Sequence, residues 1–378
     1  MRVTIITNIP SPYRAALFDY LHENDLNDYN IIYYANERKE LNWNKDLIHN
    51  ADFVKSCSLN YKTKLYLKTI SIPNIFNFVS ILKKNKPDII VASEYNISSL
   101  ISFLYSKIMR IKYIQWSDAT IYSERNYTSI KKIIRKIICK RSDRYIASST
   151  ETKELLISYG AREQDIYVSL IAPVPLQMPR IISNKKEYVN IEALSVGFFS
   201  TRKGYDLLIQ SIVGIEKLHK LHIVGDGEKM DEVKVLIKNL NLSEKVILHG
   251  RKTQEEIYSL MSKVHFFIHP SREDCFGLVV LEAMENGLPI LVSKYTGCKK
   301  DLVLNGINGF IYDPINIDDS KMTIEQLIDD ASLLDEMGKQ SKLIAERYTL
   351  PKVAIEYINA INSVISYKNK MEGNNNNG

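Results

Sequence analysis

Four side chains in the second half of the chain have the types and spacing of a site for an anion and for hydroxyl groups: Arg202, Lys203, Asp274 and Glu282. Asp274 and Glu282 belong to the run His269–Ser293, HPSREDCFGLVVLEAMENGLPILVS. It reads as a strand end, an acidic turn with Glu273 and Asp274, a Phe276-Gly277 step opening a short helix from Leu278, and a second strand after Gly287 and Pro289. In an open α/β sheet the loop leaving a strand's carboxyl end faces the ligand crevice. A helix starting there behind a glycine turns free N–H groups and the positive dipole end toward a phosphate. If helical geometry held between them, the two acids would stand about 12 Å and roughly 80° apart. They could then border one elongated ligand, accepting hydrogen bonds from its hydroxyls. The plainer alternative makes Asp274 a helix cap and Glu282 a solvated helix residue.

Arg202 and Lys203 lie in a turn, Ser195-Val-Gly-Phe-Phe-Ser-Thr-Arg-Lys-Gly204, between a strand end and a helix start. Cations at a helix N-terminus are unfavourable unless an anion sits between, which a diphosphate would do. Two solvated turn cations are the competing reading. Three further strand ends carry loops that could offer backbone atoms to a ligand: Val224-Gly225-Asp-Gly227, His249-Gly250-Arg251 and Tyr295-Thr-Gly297-Cys-Lys299. No Ser–His–Asp pattern or phosphate-binding P-loop points to other chemistry, and the first strand–helix turn, Asn8-Ile-Pro-Ser-Pro, lacks the glycine fingerprint of a dinucleotide oxidoreductase.

These residues need a scaffold, and 378 residues suffice for two α/β domains. Hydrophobic content of 45% and charged content of 25% are ordinary for a globular protein. The opening MRVTIITNIP is too short for a signal peptide, and no apolar run reaches spanning length. Four cysteines without a CxxC pattern, and seven scattered histidines, suggest reduced thiols in a cytoplasmic protein and no metal centre.

The segment 129–144 carries seven cations and one acid, which equals the whole net charge of +6. Ile130, Ile133, Ile134, Ile137 and Ile138 recur in it at helical spacing. The expectation is a basic amphipathic helix with its isoleucines toward a core and its cations toward solvent or an anionic membrane surface. Nucleic acid is disfavoured, because no aromatic residues interleave with the charges.

Short apolar runs alternate with amphipathic stretches through both halves, predicting βαβ units and parallel sheets. Strands are expected at 3–7, 30–35, 88–92, 113–116, 145–147 and 166–170, with helices between. Pro73 is placed in the first turn of a helix to Lys84, and Ser148 in a capping box with Glu151. Residues 40–70 give no clear pattern. Prolines 173, 175 and 179 mark a linker at 173–188. The division is a domain over 1–172, a second over 189–349, a terminal helix over 350–368, and a disordered tail over 369–378. Two such halves leave a cleft between them.

Taken together, the Gly197…Arg202-Lys203-Gly204 turn, the Val224–Gly227 loop, the Pro270-Ser271…Phe276-Gly277…Glu282-Ala283-Met284…Gly287-Leu-Pro289 signature and Asn305-Gly…Asn308-Gly309-Phe310 resemble glycosyltransferase family 4, the large retaining group with the GT-B fold. The first half is similar more loosely, through Asn8–Arg14 and Trp116-Ser-Asp118. The resemblance implies two Rossmann-like domains and metal-independent transfer of a hexose-type sugar from a UDP- or GDP-sugar, with retention of configuration. Glu282 would bind the donor ribose, Asp274 the transferred sugar, and Arg202 and Lys203 the diphosphate. Glu273, Phe276, Gly277, Leu278, Gly225, Arg251 and Gly297 would complete the donor site. Pro12, Tyr13, Arg14, Glu94, Trp116 and Asp118 would lie on the acceptor side, and the terminal helix would return to the first domain. The acceptor would be a glycan, polyprenyl-diphosphate-linked, in surface polysaccharide assembly at the inner membrane face; a soluble acceptor is the alternative. Three positions depart from the family pattern: Asp274 where glutamate is usual, Phe198 where a basic residue is common, and Gly297-Cys298 in place of a glycine pair. On those departures a catalytically inactive sugar-nucleotide-binding paralogue is the alternative function.

Overall fold

The computed structural model describes residues 1–34, 51–54, 56–62, 67–174, 190–330 and 332–375. The chain divides into two compact units, Met1–Val174 with Thr349–Gly378, and Pro175–Tyr348. The linker expected at 173–188 lies, from residue 175 on, outside the described residues.

In the first unit the strands are β1 (Arg2–Thr7), β2 (Asp28–Tyr33), β3 (Ala51–Phe53), β4 (Ser56–Lys62), β5 (Leu67–Pro73), β6 (Ile89–Ser93), β7 (Lys112–Ser117), β8 (Arg144–Ala147) and β9 (Ile166–Val168). Seven of them form a parallel sheet in the order β3-β2-β1-β6-β7-β8-β9. The order reverses between β1 and β6, which is where an open parallel sheet leaves its crevice. β4 and β5 form a separate antiparallel pair, in the stretch whose sequence shows no pattern. Pro73 ends β5 opposite Ser56 instead of opening a helix. Proline suits a strand end as well as a first helical turn, and it is the Asn74 side chain that caps the helix Ile75–Asn85, accepting from Asn77 N at 3.0 Å. Ser149, not Ser148, likewise caps the helix Thr150–Ser158, because the Ser148 hydroxyl is taken by Asp118 and the Ser117 carbonyl.

The terminal helix runs Leu350–Asn375. Its buried residues Val353, Tyr357, Ala360 and Val364 follow helical spacing and join the core of β1 and β7, with Trp116 and Phe18. The Ser169 hydroxyl donates to Val353 O at 3.0 Å, and Arg144 Nε donates to Ser363 Oγ at 2.9 Å. The helix continues past the expected end at 368, so 369–375 is helical where a disordered tail is expected. Propagation adds one hydrogen bond per residue, and no proline interrupts it.

The basic helix spans Ser129–Arg141 and differs from expectation in three ways. Arg144 lies beyond it, at the start of β8, paired with Asp165. Arg135 turns inward to the buried Glu124 carboxylate, with Nε–Oε1 at 2.7 Å. Only Ile138 and, in part, Ile134 reach the core, while Ile130, Ile133 and Ile137 are 71%, 54% and 43% exposed. A period of 3.6 puts those three within about 60° of one another on the outer face. Lys136 and Lys140 are exposed beside them.

In the second unit β10 (Ile191–Val196), β11 (Leu218–Val224), β12 (Val246–Leu248), β13 (Phe266–His269), β14 (Ile290–Ser293) and β15 (Gly309–Tyr312) form a parallel sheet. The order β12-β11-β10-β13-β14-β15 reverses between β10 and β13. The core on one face gathers Ala193, Leu221, Ile223, Phe266, Ile268 and Leu291 from alternate strand positions, against Leu208, Ile237 and Ile324 from helices. Cys139, Cys275 and Cys298 are free thiols. Among the described residues no helix is long and apolar enough to cross a membrane.

Candidate active site

The reversal in the second sheet places two loops side by side: the turn after β10, with Arg202 and Lys203, and the turn after β13, with Asp274. They are bolted together. Arg272 N donates to Arg202 O at 2.8 Å, and the Arg272 guanidinium grips Asp206 through two bonds of 2.6 Å while also donating to Thr201 O. Gly204 makes this approach possible. It holds φ +71°, and a Cβ there would lie 2.2 Å from Pro270 O.

The two turns meet at Asp274, which is 8% exposed. Its Oδ1 accepts from Arg202 at 3.3 Å, and its Oδ2 meets Lys203 Nζ and His269 Nε2, the latter at 3.0 Å. Burial alone would raise the Asp274 carboxyl, but Lys203, His269 and Arg202 more than offset it and hold it well below the usual range. Burial and the nearby Lys203 in turn keep His269 below its ordinary value, so it stays neutral.

Asp274 is not part of the following helix. It forms a lone parallel bridge with Thr296, donating its N–H to Tyr295 O, while Gly297 N donates to Asp274 O at 2.9 Å. The helix spans Leu278–Glu285, so helical geometry does not hold across the eight residues from Asp274 to Glu282. Gly277 stands at its N-cap with φ +89° and no side chain to cap it. A Cβ there would meet Thr296 Cγ2 at 2.8 Å. Val280 N donates to Gly277 O at 2.9 Å, which leaves the N–H groups of Leu278 and Val279 open to an anion. Thr296 Oγ1 is buried beside them without a hydrogen-bond partner.

One turn into that helix, Glu282 receives a long 3.5 Å contact from Gln254 Nε2. Burial, and then Glu285, push its carboxyl up to about 7. Arg251 lies 3.9 Å from Asp226, whose carbonyl accepts from Phe199 N. Gly225, at φ +147°, has no room for a Cβ beside Gly197 O, and its own N–H is bound to Gly250 O. Among the described residues no cluster of three or more His, Cys, Asp or Glu could hold a metal ion.

The geometry thus gathers Arg202, Lys203, Glu273 and Asp274 into one cluster, since Arg202 also donates to Glu273 O at 3.1 Å. Gly277 and Leu278 lie at the helix start that follows. Phe276 is 3% exposed, so its side chain packs in the core. The Gly297 N–H is already used by Asp274, which leaves Gly297 a bracing role. Sequence reasoning assigned no role to His269, Arg272 or Thr296. His269 had one readable signal, its place at the carboxyl end of the strand, but nothing in its spacing foretold contact with Asp274.

Of the residues expected on the acceptor side, Trp116 is 2% exposed and packs edge-on against Phe18 and Tyr357. Arg14 is buried against Asp118 at 2.8 Å and lies over the Trp116 ring at 4.8 Å. These three form an internal brace, with Pro12 in the first turn of the helix Pro12–Asn24 and Tyr13 half-buried beside them. Glu94, half-buried just past β6, joins them: its Oε1 accepts from Asp118 N at 2.8 Å.

Two family models match the chain: Glycosyl transferases group 1 over residues 181–343, and Glycosyltransferase Family 4 over residues 31–169. An uncharacterized glycosyltransferase of Methanocaldococcus jannaschii is 33% identical over 159 residues, covering 42% of this chain and 44% of that one. The lipopolysaccharide 1,6-galactosyltransferase of Salmonella typhimurium is 26% identical over 250 residues, covering 65% and 67%. The aligned stretches thus span about half to two thirds of these relatives' lengths. Among solved structures, the lipopolysaccharide outer core galactosyltransferase WaaB in its apo form superposes with a TM-score of 0.76 at 19% identity, covering 96% of this chain and 99% of that one. Anabaena HepE in complex with UDP superposes with a TM-score of 0.77 at 17% identity, covering 96% and 100%. The chain therefore carries a group 1 glycosyltransferase domain preceded by a family 4-like domain, as two parallel-sheet α/β units with GT-B glycosyltransferases as their structural neighbours.

Proposed function

We propose that the protein is a retaining, metal-independent glycosyltransferase. It moves a hexose-type sugar from a nucleotide-diphosphate donor to a hydroxyl of a glycan acceptor. The observation that carries this reading is the uncapped helix start at Gly277 beside a turn whose cations, Arg202 and Lys203, are held by the buried Asp274. As the sugar–phosphate bond breaks, negative charge grows on the departing diphosphate. Fixed N–H groups and cations stabilise that charge without reorganising. The acceptor hydroxyl attacks from the leaving-group side, so no protein nucleophile is needed. Glu282, one turn along the same helix, accepts from the ribose hydroxyls. Arg251 and the Gly225 loop border the base.

The relatives narrow the substrates. One neighbour was solved with UDP and another is named a lipopolysaccharide galactosyltransferase. This supports a UDP-sugar ahead of a GDP-sugar, and an acceptor in surface polysaccharide assembly. The unit Met1–Val174 takes the acceptor, which is polyprenyl-diphosphate-linked and met at the inner face of the plasma membrane. The exposed Ile130, Ile133 and Ile137 with Lys136 and Lys140 form the surface that rests on anionic lipid.

One observation favours a second reading, a non-catalytic sugar-nucleotide-binding partner of another transferase. Both Asp274 oxygens are engaged by the protein's own cations and His269, where the family role asks that carboxylate to hold the sugar. Calorimetric titration with UDP, GDP and ADP, with and without magnesium, followed by assay for release of UDP from UDP-hexoses, decides between them. Metal-independent binding of one nucleotide that Glu282→Ala abolishes, together with turnover, supports the enzyme. Binding without turnover on any donor supports the second reading, and no binding refutes both.

A further inference from the structure

Among the described residues, four other than glycine hold a left-handed backbone: Lys86, Glu94, Arg110 and Asn241. Three of them close helices. Lys86 caps the helix Ile75–Asn85, Arg110 follows the cap of Ile97–Ile108, and Asn241 follows the cap of Met230–Asn239. A left-handed residue there satisfies the last carbonyls of the helix. Glu94, at φ +61°, follows strand β6 and ends no helix. A glutamate pays for this conformation with backbone strain that glycine would avoid.

The strain aims the side chain. Glu94 N donates to Trp116 O at 2.8 Å, and Glu94 Oε1 accepts from Asp118 N at 2.8 Å. Among the described residues the other carboxylate oxygen has no hydrogen-bond partner. The residue is half-buried, just past β6, one of the two strands between which the first sheet reverses its order. Two acids, Asp118 and Glu124, and one cation, Arg14, act on it electrostatically, with the Tyr34 phenol near. Burial and then Asp118 hold the Glu94 carboxyl above the ordinary range. A polar ligand presenting a hydroxyl meets there a carboxyl oxygen already aimed and free of protein partners.

We propose that Glu94 is the acceptor-positioning residue of this chain, its unpaired carboxyl oxygen hydrogen-bonding a hydroxyl of a pyranose acceptor at the β1–β6 crevice. This rests on the transferase reading above and deepens it, since it selects one residue of the six on the acceptor side and gives it a task. Arg14, Asp118 and Trp116 become the brace that fixes it.

The test uses the full chain and two measurements. The first is thermal unfolding of Glu94→Gly. Relief of the left-handed strain leaves Tm unchanged or higher, whereas a fall of more than about 3 °C makes Glu94 a structural residue and overturns the proposal. The second is saturation-transfer NMR with octyl glucoside, galactoside and mannoside as probes at millimolar concentration. At least one binds the wild-type chain. Glu94→Gln weakens it about tenfold or more, and Glu94→Asp recovers part of the loss. Failure of all three to bind, or equal binding by Glu94→Gln, overturns the proposal. UDP, GDP and ADP titrated into the same samples report the second unit separately: failure of all three to bind would sink the transferase reading while leaving the glycoside result to stand.

Discussion

His269 Nε2 lies 3.0 Å from Asp274 Oδ2, joining a buried neutral imidazole to a buried carboxylate that two cations also hold. The contact fixes Asp274 against the end of its own strand, where it holds the cation pair of the neighbouring turn.

Removing that charge while keeping its shape tests the arrangement. Asp274→Asn leaves Lys203, 13% exposed, without its partner. Breaking a buried pair costs about 3–5 kcal/mol, and the partial exposure of Arg202 argues for the lower end, about 3 kcal/mol. The carboxyl is depressed in the folded state, so its stabilisation is fully present above the unfolded value near 3.8 and is lost as pH falls through the lower folded value. Chemical denaturation of both proteins should therefore show a gap at pH 7 that starts to narrow only once pH falls below about 3.8 and closes toward the lower folded value. A gap that persists in acid would mean that packing, not charge, is lost.

Glu282 has the opposite displacement. Its carboxyl is raised to about 7, so it is largely protonated below that pH and ionised above it. Ribose hydroxyls donate better to a carboxylate than to a neutral acid. Nucleotide affinity should rise as pH increases through 7, by about tenfold per unit at most, and Glu282→Gln should be weak and flat across pH 6–8. Calorimetry at four pH values checks this; a wild-type profile as flat as that of the variant would remove Glu282 from the site.

How much of this was readable in advance follows from what each residue answers to. Strand and helix positions were legible because burial of alternate or fourth residues is written locally, as in β10 to β14 or in Val353, Tyr357 and Val364. So was the clustering of Arg202 and Lys203 with Asp274, since loops at carboxyl ends of adjacent parallel strands must meet. Direct pairing of those cations with Asp274 was not legible, because contact between residues 71 or 72 apart depends on Gly204 letting Pro270 approach. The isoleucine helix misled for a related reason. Helical spacing gives two stripes there, and the long-range demand of Glu124 for Arg135 decides which one faces inward.

That orientation predicts how the first unit meets lipid. Insertion of an exposed isoleucine is worth about 1.5–3 kcal/mol at full burial, against about 1 kcal/mol for a lysine near an anionic surface. Ile130→Ser with Ile133→Ser and Ile137→Ser should therefore abolish flotation with phosphatidylglycerol vesicles. Lys136→Glu with Lys140→Glu should only weaken it, and mainly at low salt. If the lysine pair matters more than the isoleucines, attraction is electrostatic alone; if neither set changes flotation, this helix is not the contact.

Gly204 offers the sharpest test of the coupling between fold and site, because it touches no ligand and carries no charge. Alanine there would meet Pro270 O at 2.2 Å and would have to hold φ +71°. Either the backbone strain is kept, at about 1–3 kcal/mol, or the turn after β10 moves away from the turn after β13. Movement would separate Arg202 from Asp274 and from Glu273 O, since both bonds cross between those turns. Gly204→Ala should then lose nucleotide affinity as well as stability, although neither atom of the new methyl's clash belongs to the site. Gly250→Ala is the control: it shares a positive φ, +67°, but a Cβ there meets nothing within 4 Å. It should cost stability through strain alone. Calorimetry with UDP beside thermal unfolding separates the two, and equal affinity in Gly204→Ala and the wild type would show that the cation turn keeps its place without the contact at Pro270.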